Sequence, residues 1–311
     1  VTGLVSAGSR ALVGRAVVDD DRVLVTGATG WLGRTALDLL SPLGVALLPI
    51  AGSARPLELD GRTIDVRTWD DDEVAGFSPT IVVDCAFLTR DRTSDVPFDE
   101  YVAANRLLTR RMLDAARLDS VRMVVTVSSG AAVHPVDALS GGLAANPYGY
   151  LKREAELQLA EAVAGGHASA VVARAWSISG AHVQKPANYA LGSMIQAAAA
   201  GAVHVAARRP VRRRYALADE LLALALAAGG AGSATIDSGG ELVEMSELAE
   251  RVVAVVNPGA AITRDPPEGG APDDYHSDGR DWAARCARWS LSPLGLDAQI
   301  ELTARGVLGR S

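Results

Sequence analysis

Short apolar runs alternate with segments of helical period along most of the chain. Val23-Leu24-Val25 reads as a buried strand, followed by a glycine-rich turn and a helical pattern through Leu40. Gly44 to Ile50, Thr63 to Val66, Thr80 to Cys85, Arg122 to Ser128 and Ser169 to Ala175 are predicted as further strands. Helical periodicity spans Phe98 to Leu118 and Tyr148 to Ala164. Such alternation predicts an α/β fold, a Rossmann-type doubly wound parallel sheet covered on both faces. After Arg174 the pattern loosens. Ser177 to Asn188 reads as loop, and helices are predicted over 189–200, 219–228, 245–256 and 282–289. Val203 to Val205 and Ala234 to Ile236 are short strand candidates, and Pro258 to Gly279 is an exposed loop rich in Pro, Gly and Asp. This divides the chain into a main lobe over 22–175, to which 203–238 returns, and a smaller C-terminal lobe from 176–202 and 239–311. Residues 1–21 form an N-terminal extension, expected to be partly disordered. Arg10 and Arg15 break its apolar stretch and no cleavage signal follows, so it is not read as a signal peptide.

Composition narrows the class. The chain has 311 residues, 49% hydrophobic and 22% charged, which supplies ample core and excludes disorder as the main theme. A net charge of −7 argues against nucleic-acid binding. No apolar run is long enough to span a membrane. Two cysteines, Cys85 and Cys286, suffice for neither a disulfide scaffold nor a zinc site, and a reduced cytoplasmic setting is expected. The histidines have no metal-ligand spacing, so no metal is expected.

Gly27-x-x-Gly30-x-x-Gly33 lies directly between a predicted strand and a helix. The first glycine permits a tight turn, the second a close approach of backbone to a pyrophosphate, and the third close helix packing. The helix start at Thr29, Trp31 and Leu32 then offers free N–H groups to phosphate oxygens. An acid at the tip of the second strand would select NAD. Ala51-Gly52-Ser53-Ala54-Arg55 has none; Ser53 and Arg55 suit the 2′-phosphate of NADP, with NAD as the alternative. Asp65 and Val66 are placed at the adenine edge on the third strand, and Cys85 with Ala86 near the nicotinamide. Nothing around Cys85 suggests a thiolate.

Tyr148-Gly-Tyr-Leu-Lys152 puts a phenol and an ammonium on one helical face. The lysine charge favours the phenolate, which makes the tyrosine usable as a general acid or base. Ser128-Ser129 ends the fifth strand, at the sheet edge where a hydroxyl can meet the same substrate oxygen.

The glycine turn, the Ser-Ser strand end and Tyr-x-x-x-Lys together resemble the extended short-chain dehydrogenase/reductase family, the branch of nucleotide-sugar epimerases, dehydratases and 4-ketoreductases. The resemblance runs from about Arg22 to Leu296. It implies that Tyr148, Lys152 and Ser129 are catalytic, with Ser128 the lesser option for the hydroxyl. It implies that Asn105 is the family's helix asparagine, with a structural and proton-relay role. Arg213, in Arg213-Arg214-Tyr215-Ala-Leu-Ala-Asp219, would hold a nucleotide diphosphate, and Ser177 stands where many relatives have a substrate-binding asparagine. Asn188 and His182, just past the sixth strand, are candidates to line the substrate pocket. The family's Val-Tyr-Gly is missing after Ser128-Ser129, and an ungapped count would put Gly130 at the hydroxyl position. Ala131 and Ala132 replace the acids of the 4,6-dehydratases, so dehydration is not expected. No second diphosphate arginine lies in register near Glu268; Arg264 and Arg280 are substitutes.

These readings imply an NADP-dependent reductase of a nucleotide-activated 4-keto-6-deoxy sugar. Alternatives are an epimerase holding NAD tightly, a reductase of a non-sugar natural-product ketone, and a non-catalytic NADP-binding protein. The resemblance also implies a homodimer through the two long helices.

Overall fold

A computed structural model of the chain describes residues 3–59 and 61–309. At its centre six parallel strands lie in the order Ala234–Asp237, Ser169–Ala175, Met123–Ser129, Ile81–Asp84, Arg22–Thr26, Ala46–Ile50. The middle strands are apolar runs with both faces covered, so nearly every residue in them is buried. The chain moves outward from Arg22–Thr26 to Ala46–Ile50, then crosses back to Ile81–Asp84 on the other side. That reversal opens a crevice at the carboxyl ends of Arg22–Thr26 and Ile81–Asp84, beside the glycine turn.

The predicted third strand is a different object. Arg62–Val66 pairs antiparallel with Arg55–Leu59 as a separate hairpin. A single bridge between Ile50 and Arg67 joins its far end to the sheet. Leu57 and Leu59 are buried while Arg55, Pro56 and Glu58 are exposed, a half-buried alternation, and Gly61 supplies a positive φ at the bend.

The helix Ala218–Gly229 is buried along its whole length, which its Ala and Leu content allows. One side meets the sheet. The other meets a helix over Ala7–Ala16, within the segment expected to be partly disordered. Ser6 caps that helix, and its own N–H donates to Asp219 at 2.9 Å. Arg10 reaches Asp38 at 2.8 Å.

The smaller lobe has its own core, built from Ala190–Ala199, Met245–Val256 and Leu296–Leu308 around Val203, Val205 and Val243. Ala202–Val205 pairs with Ala261–Arg264 here, and Val211–Leu217 pairs with Glu241–Glu244. Val203, Val205 and Tyr215 therefore pack in the small lobe, and Ala216 is the first residue of this stretch to pack into the main core. Conversely, Trp282 and Cys286 of Arg280–Arg288 pack into the main core. Among the described residues no helix is long and apolar enough to cross a membrane.

Candidate active site

The glycine turn is dictated by contact. Gly27 has φ +64°, and a Cβ there would lie 2.6 Å from the Cys85 carbonyl oxygen. A Cβ on Gly33 would lie 2.2 Å from the Gly27 carbonyl oxygen. Both positions exclude any side chain. Gly30 caps Trp31–Leu40 with no side-chain acceptor, and the first turn carries no acid. The positive end of that helix is left for an anion.

Ser53 and Arg55 are exposed at the tip beyond Ala46–Ile50. Burial, and secondly the nearby charge of Arg55, push the Arg34 guanidinium below its ordinary value. Arg34 Nε donates to the Thr29 carbonyl at 3.0 Å. Neither arginine has a carboxylate partner among the described residues. Two neighbouring cations without a counter-charge are a cradle for an anion. Asp65 points to solvent and pairs with Arg67 at 3.5 Å, on the hairpin strand Arg62–Val66 rather than on a strand of the six-stranded sheet; Val66 is fully buried.

Thr26 and Thr126, on two sheet strands, donate to Asp84 at 2.6 and 3.0 Å. Burial raises that carboxyl against these bonds and the nearby Lys152 charge. Burial and the adjacent Asp84 push the Cys85 thiol up, so it stays neutral. Asn105 is fully buried; its Oδ1 accepts from Leu88 N at 2.8 Å, and Tyr101 donates to the Leu88 carbonyl at 2.8 Å. The helix Phe98–Ala116 thereby fixes the loop that follows Ala86.

Tyr148 and Lys152 share a face of Pro147–Ala162, which starts with Asn146 as cap and Pro147 in its first turn. Lys152 Nζ donates to the Val127 carbonyl at 2.6 Å and lies 3.8 Å from the centre of the Phe87 ring. Burial pushes its pKa down to about 8, with Asp84 opposing. Tyr148 stands edge-on to Phe87, and burial raises its phenol while a hydrogen bond with Ser129 works the other way. Ser129 Oγ also accepts from Ala131 N and lies 3.2 Å from the Tyr275 hydroxyl.

Ser128 takes the opposite side. Its hydroxyl donates to Glu156, which also accepts two bonds from Arg174 at 2.9 and 2.7 Å. This assigns Ser128 to a buried ion-pair network, away from the Ser129–Tyr148 pair. Gly130 is excluded from the hydroxyl role and abuts Trp176, whose ring would lie 2.4 Å from a Cβ there. His182 is bound to Asp38 at 2.8 Å beneath the N-terminal helix, so it does not line the cleft. Asn188 and Lys185 reach Asp91 at 3.4 and 2.9 Å, bridging two loops. Ser177 lies in a short strand opposite Tyr215. Arg213 pairs with Asp273 at 3.2 Å, and its guanidinium lies 5.6 Å from the centre of the Tyr275 ring.

Tyr275 was missed by sequence reasoning, because its segment reads only as loop. Its ring packs with Trp176 and His134 at 5.1 and 5.5 Å. Arg34 carried a usable signal, a cation directly after Gly33. Asp84 carried one too, an acid ending an apolar strand. A groove of about 570 Å³ lies elsewhere, lined by Leu48, Asp65, Arg67 and Phe77; it has none of these hydroxyls.

The family model for the NAD dependent epimerase/dehydratase family matches residues 23–233. The chain belongs to that family. No curated protein matches this family member's sequence. Solved structures share its fold at low identity. UDP-glucose 4-epimerase from Brucella ovis in complex with NAD is 20% identical, with 92% of this chain and 98% of that chain covered and a TM-score of 0.72. UDP-N-acetylglucosamine 4-epimerase from Methanobrevibacter ruminantium is 17% identical, with coverage of 94% and 100% and a TM-score of 0.75. An NAD dependent NDP-hexosamine 5,6-dehydratase of tunicamycin biosynthesis is 17% identical, with coverage of 93% and 98% and a TM-score of 0.69. This family member therefore combines a parallel sheet with Ser129, Tyr148 and Lys152 near the carboxyl end of the strand Met123–Ser129.

Proposed function

We propose that the chain is an NADP-dependent reductase of a ketone on a nucleotide-activated sugar, a 4-keto-6-deoxy sugar being the favoured substrate. The observation that carries the reaction type is that Tyr148, one turn from Lys152, sits on a helix whose Gly149 abuts Ala131, in the turn directly after the strand-end Ser129. The cofactor fits the residues present: Gly27 and Gly33 leave a side-chain-free cradle, and Arg34 and Arg55 suit a 2′-phosphate. NADPH supplies the hydride when bound. Ser129 donates a hydrogen bond to the substrate oxygen, and Tyr148, held protonated by its buried setting, gives that oxygen its proton. Lys152 places a positive charge against the group and stabilises the phenolate left behind. Gly130, Ala131 and Ala132 bring no acid or base to the turn after Ser129, which disfavours dehydration.

Sugar-nucleotide chemistry is supported by family membership and by the UDP-sugars in solved neighbours such as an epimerase-fold protein bound to UDP-glucose and NAD. Those neighbours also favour a second reading, a nucleotide-sugar epimerase retaining NAD. Identifying the nucleotide released from freshly purified protein, alongside NADPH and NADH titrations, separates the two. An NADPH preference supports the reductase; tightly retained NAD supports the epimerase. Binding of neither overturns both.

A further inference from the structure

The arginine run after Ala207 is laid against acids from one later segment. Arg208 pairs with Asp265 and Glu268, Arg209 with Asp273, Arg212 with Asp274 at 2.7 Å, and Arg213 with Asp273 at 3.2 Å. The backbone is engaged as well: Glu268 N donates to the Arg208 carbonyl at 2.7 Å and Asp273 N to the Pro210 carbonyl at 2.8 Å. Asp273 and Asp274 form a short parallel strand beside Val211 and Arg212. The next residue is Tyr275, whose hydroxyl reaches Ser129. One stretch thus occupies both the arginine read as the diphosphate anchor and the hydroxyl read as catalytic. Arg208, Arg209, Arg212 and Arg213 face Asp265, Glu268, Asp273 and Asp274, so within this group the charges cancel.

We propose that the segment from Asp265 to Tyr275 is a latch displaced by the substrate's own anion. A diphosphate takes Arg213 from Asp273, the short strand lifts from Val211 and Arg212, and Tyr275 withdraws from Ser129. The site then opens to a substrate that brings negative charge and stays shut to a neutral ketone. Each pair is partly exposed and individually weak, as a displaceable contact must be. Time spent latched lowers apparent substrate affinity in proportion to the closed fraction. The inference rests on the nucleotide-sugar reading.

The test uses the full chain with UDP as probe, read by calorimetry and by amide exchange over 265–275. UDP should speed exchange at Asp273, and Asp273→Asn with Asp274→Asn should bind UDP about 3–10-fold tighter than wild type. Tyr275→Ala leaves every ion pair in place and should shift both readouts in the same direction, which guards against a misfolded double variant. UDP binding only to the variants supports the latch. Equal binding by all forms with exchange unchanged or slowed overturns the latch and leaves the nucleotide-sugar reading standing. No binding by any form overturns both.

Discussion

Lys152 Nζ donates to the Val127 carbonyl at 2.6 Å, on the strand that ends in Ser129. The helix that carries Tyr148 is thereby pinned to the strand that carries its hydroxyl partner. Positioning of the pair does not depend on loop order, and the bond uses a peptide carbonyl that any residue at 127 would offer. Burial holds the Lys152 pKa at about 8, so the ammonium is present below that pH and lost above it. Turnover in the reducing direction should be level from about pH 6 to 7.5 and fall through pH 8. Lys152→Met should remove that break and lower kcat about 100-fold or more. A kcat–pH profile of both proteins is the check.

The raised phenol of Tyr148 suits donation of a proton rather than removal of one. Tyr148→Phe should cut reduction by about 10²–10⁴-fold and leave NADPH affinity within about twofold. Stopped-flow turnover beside fluorescence titration tests it; a variant that turns over at the wild-type rate would remove Tyr148 from the chemistry.

Arg34 and Arg55 lie close enough to feel each other's charge, and among the described residues neither pairs with a carboxylate. Replacing either by Ala should weaken NADPH by about 10–100-fold, the range of one or two charge-assisted bonds, and leave NADH nearly unchanged. Dissociation constants for both nucleotides decide it. Parallel losses for NADPH and NADH would assign these residues to the shared pyrophosphate.

Glu220 is fully buried in the first turn of Ala218–Gly229, accepting from Leu217 N and Leu294 N. Burial raises its pKa to about 8, from 4.5. Between those values the folded chain holds a proton the unfolded chain has released, so stability falls as pH rises from 4.5 to 8. Glu220→Gln should therefore raise Tm at pH 8 by a few degrees, at about 2–4 °C per kcal/mol, and change it little at pH 5. Thermal melts at the two pH values are sufficient.

Much of this was legible in the sequence wherever chemistry and period coincide. The strand–glycine–helix unit around Gly27, Gly30 and Gly33 is local, and its steric demands appear in the contacts a Cβ would make. Tyr148 and Lys152 are linked by helical spacing alone. What failed was long-range pairing. Thr63 to Val66 has the composition of a sheet strand, yet Pro56, Gly61 and the Leu57/Leu59 alternation fold it onto its own neighbour. Val211–Leu217 is too rich in arginine to read as a strand, because its partners Asp273 and Asp274 lie some sixty residues away. Ser128 and Ser129 cannot be separated by composition; strand alternation and Glu156 separate them. Tyr275 has no local signal at all.

The helix Ala7–Ala16 changes how the molecule can be trimmed. It lies outside the span that the family model matches, so a shortened chain beginning at Arg22 would look like a natural boundary. Such a cut would strip Leu12 and Val13 from the flank of Ala218–Gly229 and leave Asp219 and Asp38 without Ser6 and Arg10. Two apolar side chains of that size account for about 3–6 kcal/mol of burial, comparable to the whole margin of many folded chains. Expression libraries and crystallisation trials designed from the family limits would then select for insoluble material, and the missing helix would be the reason.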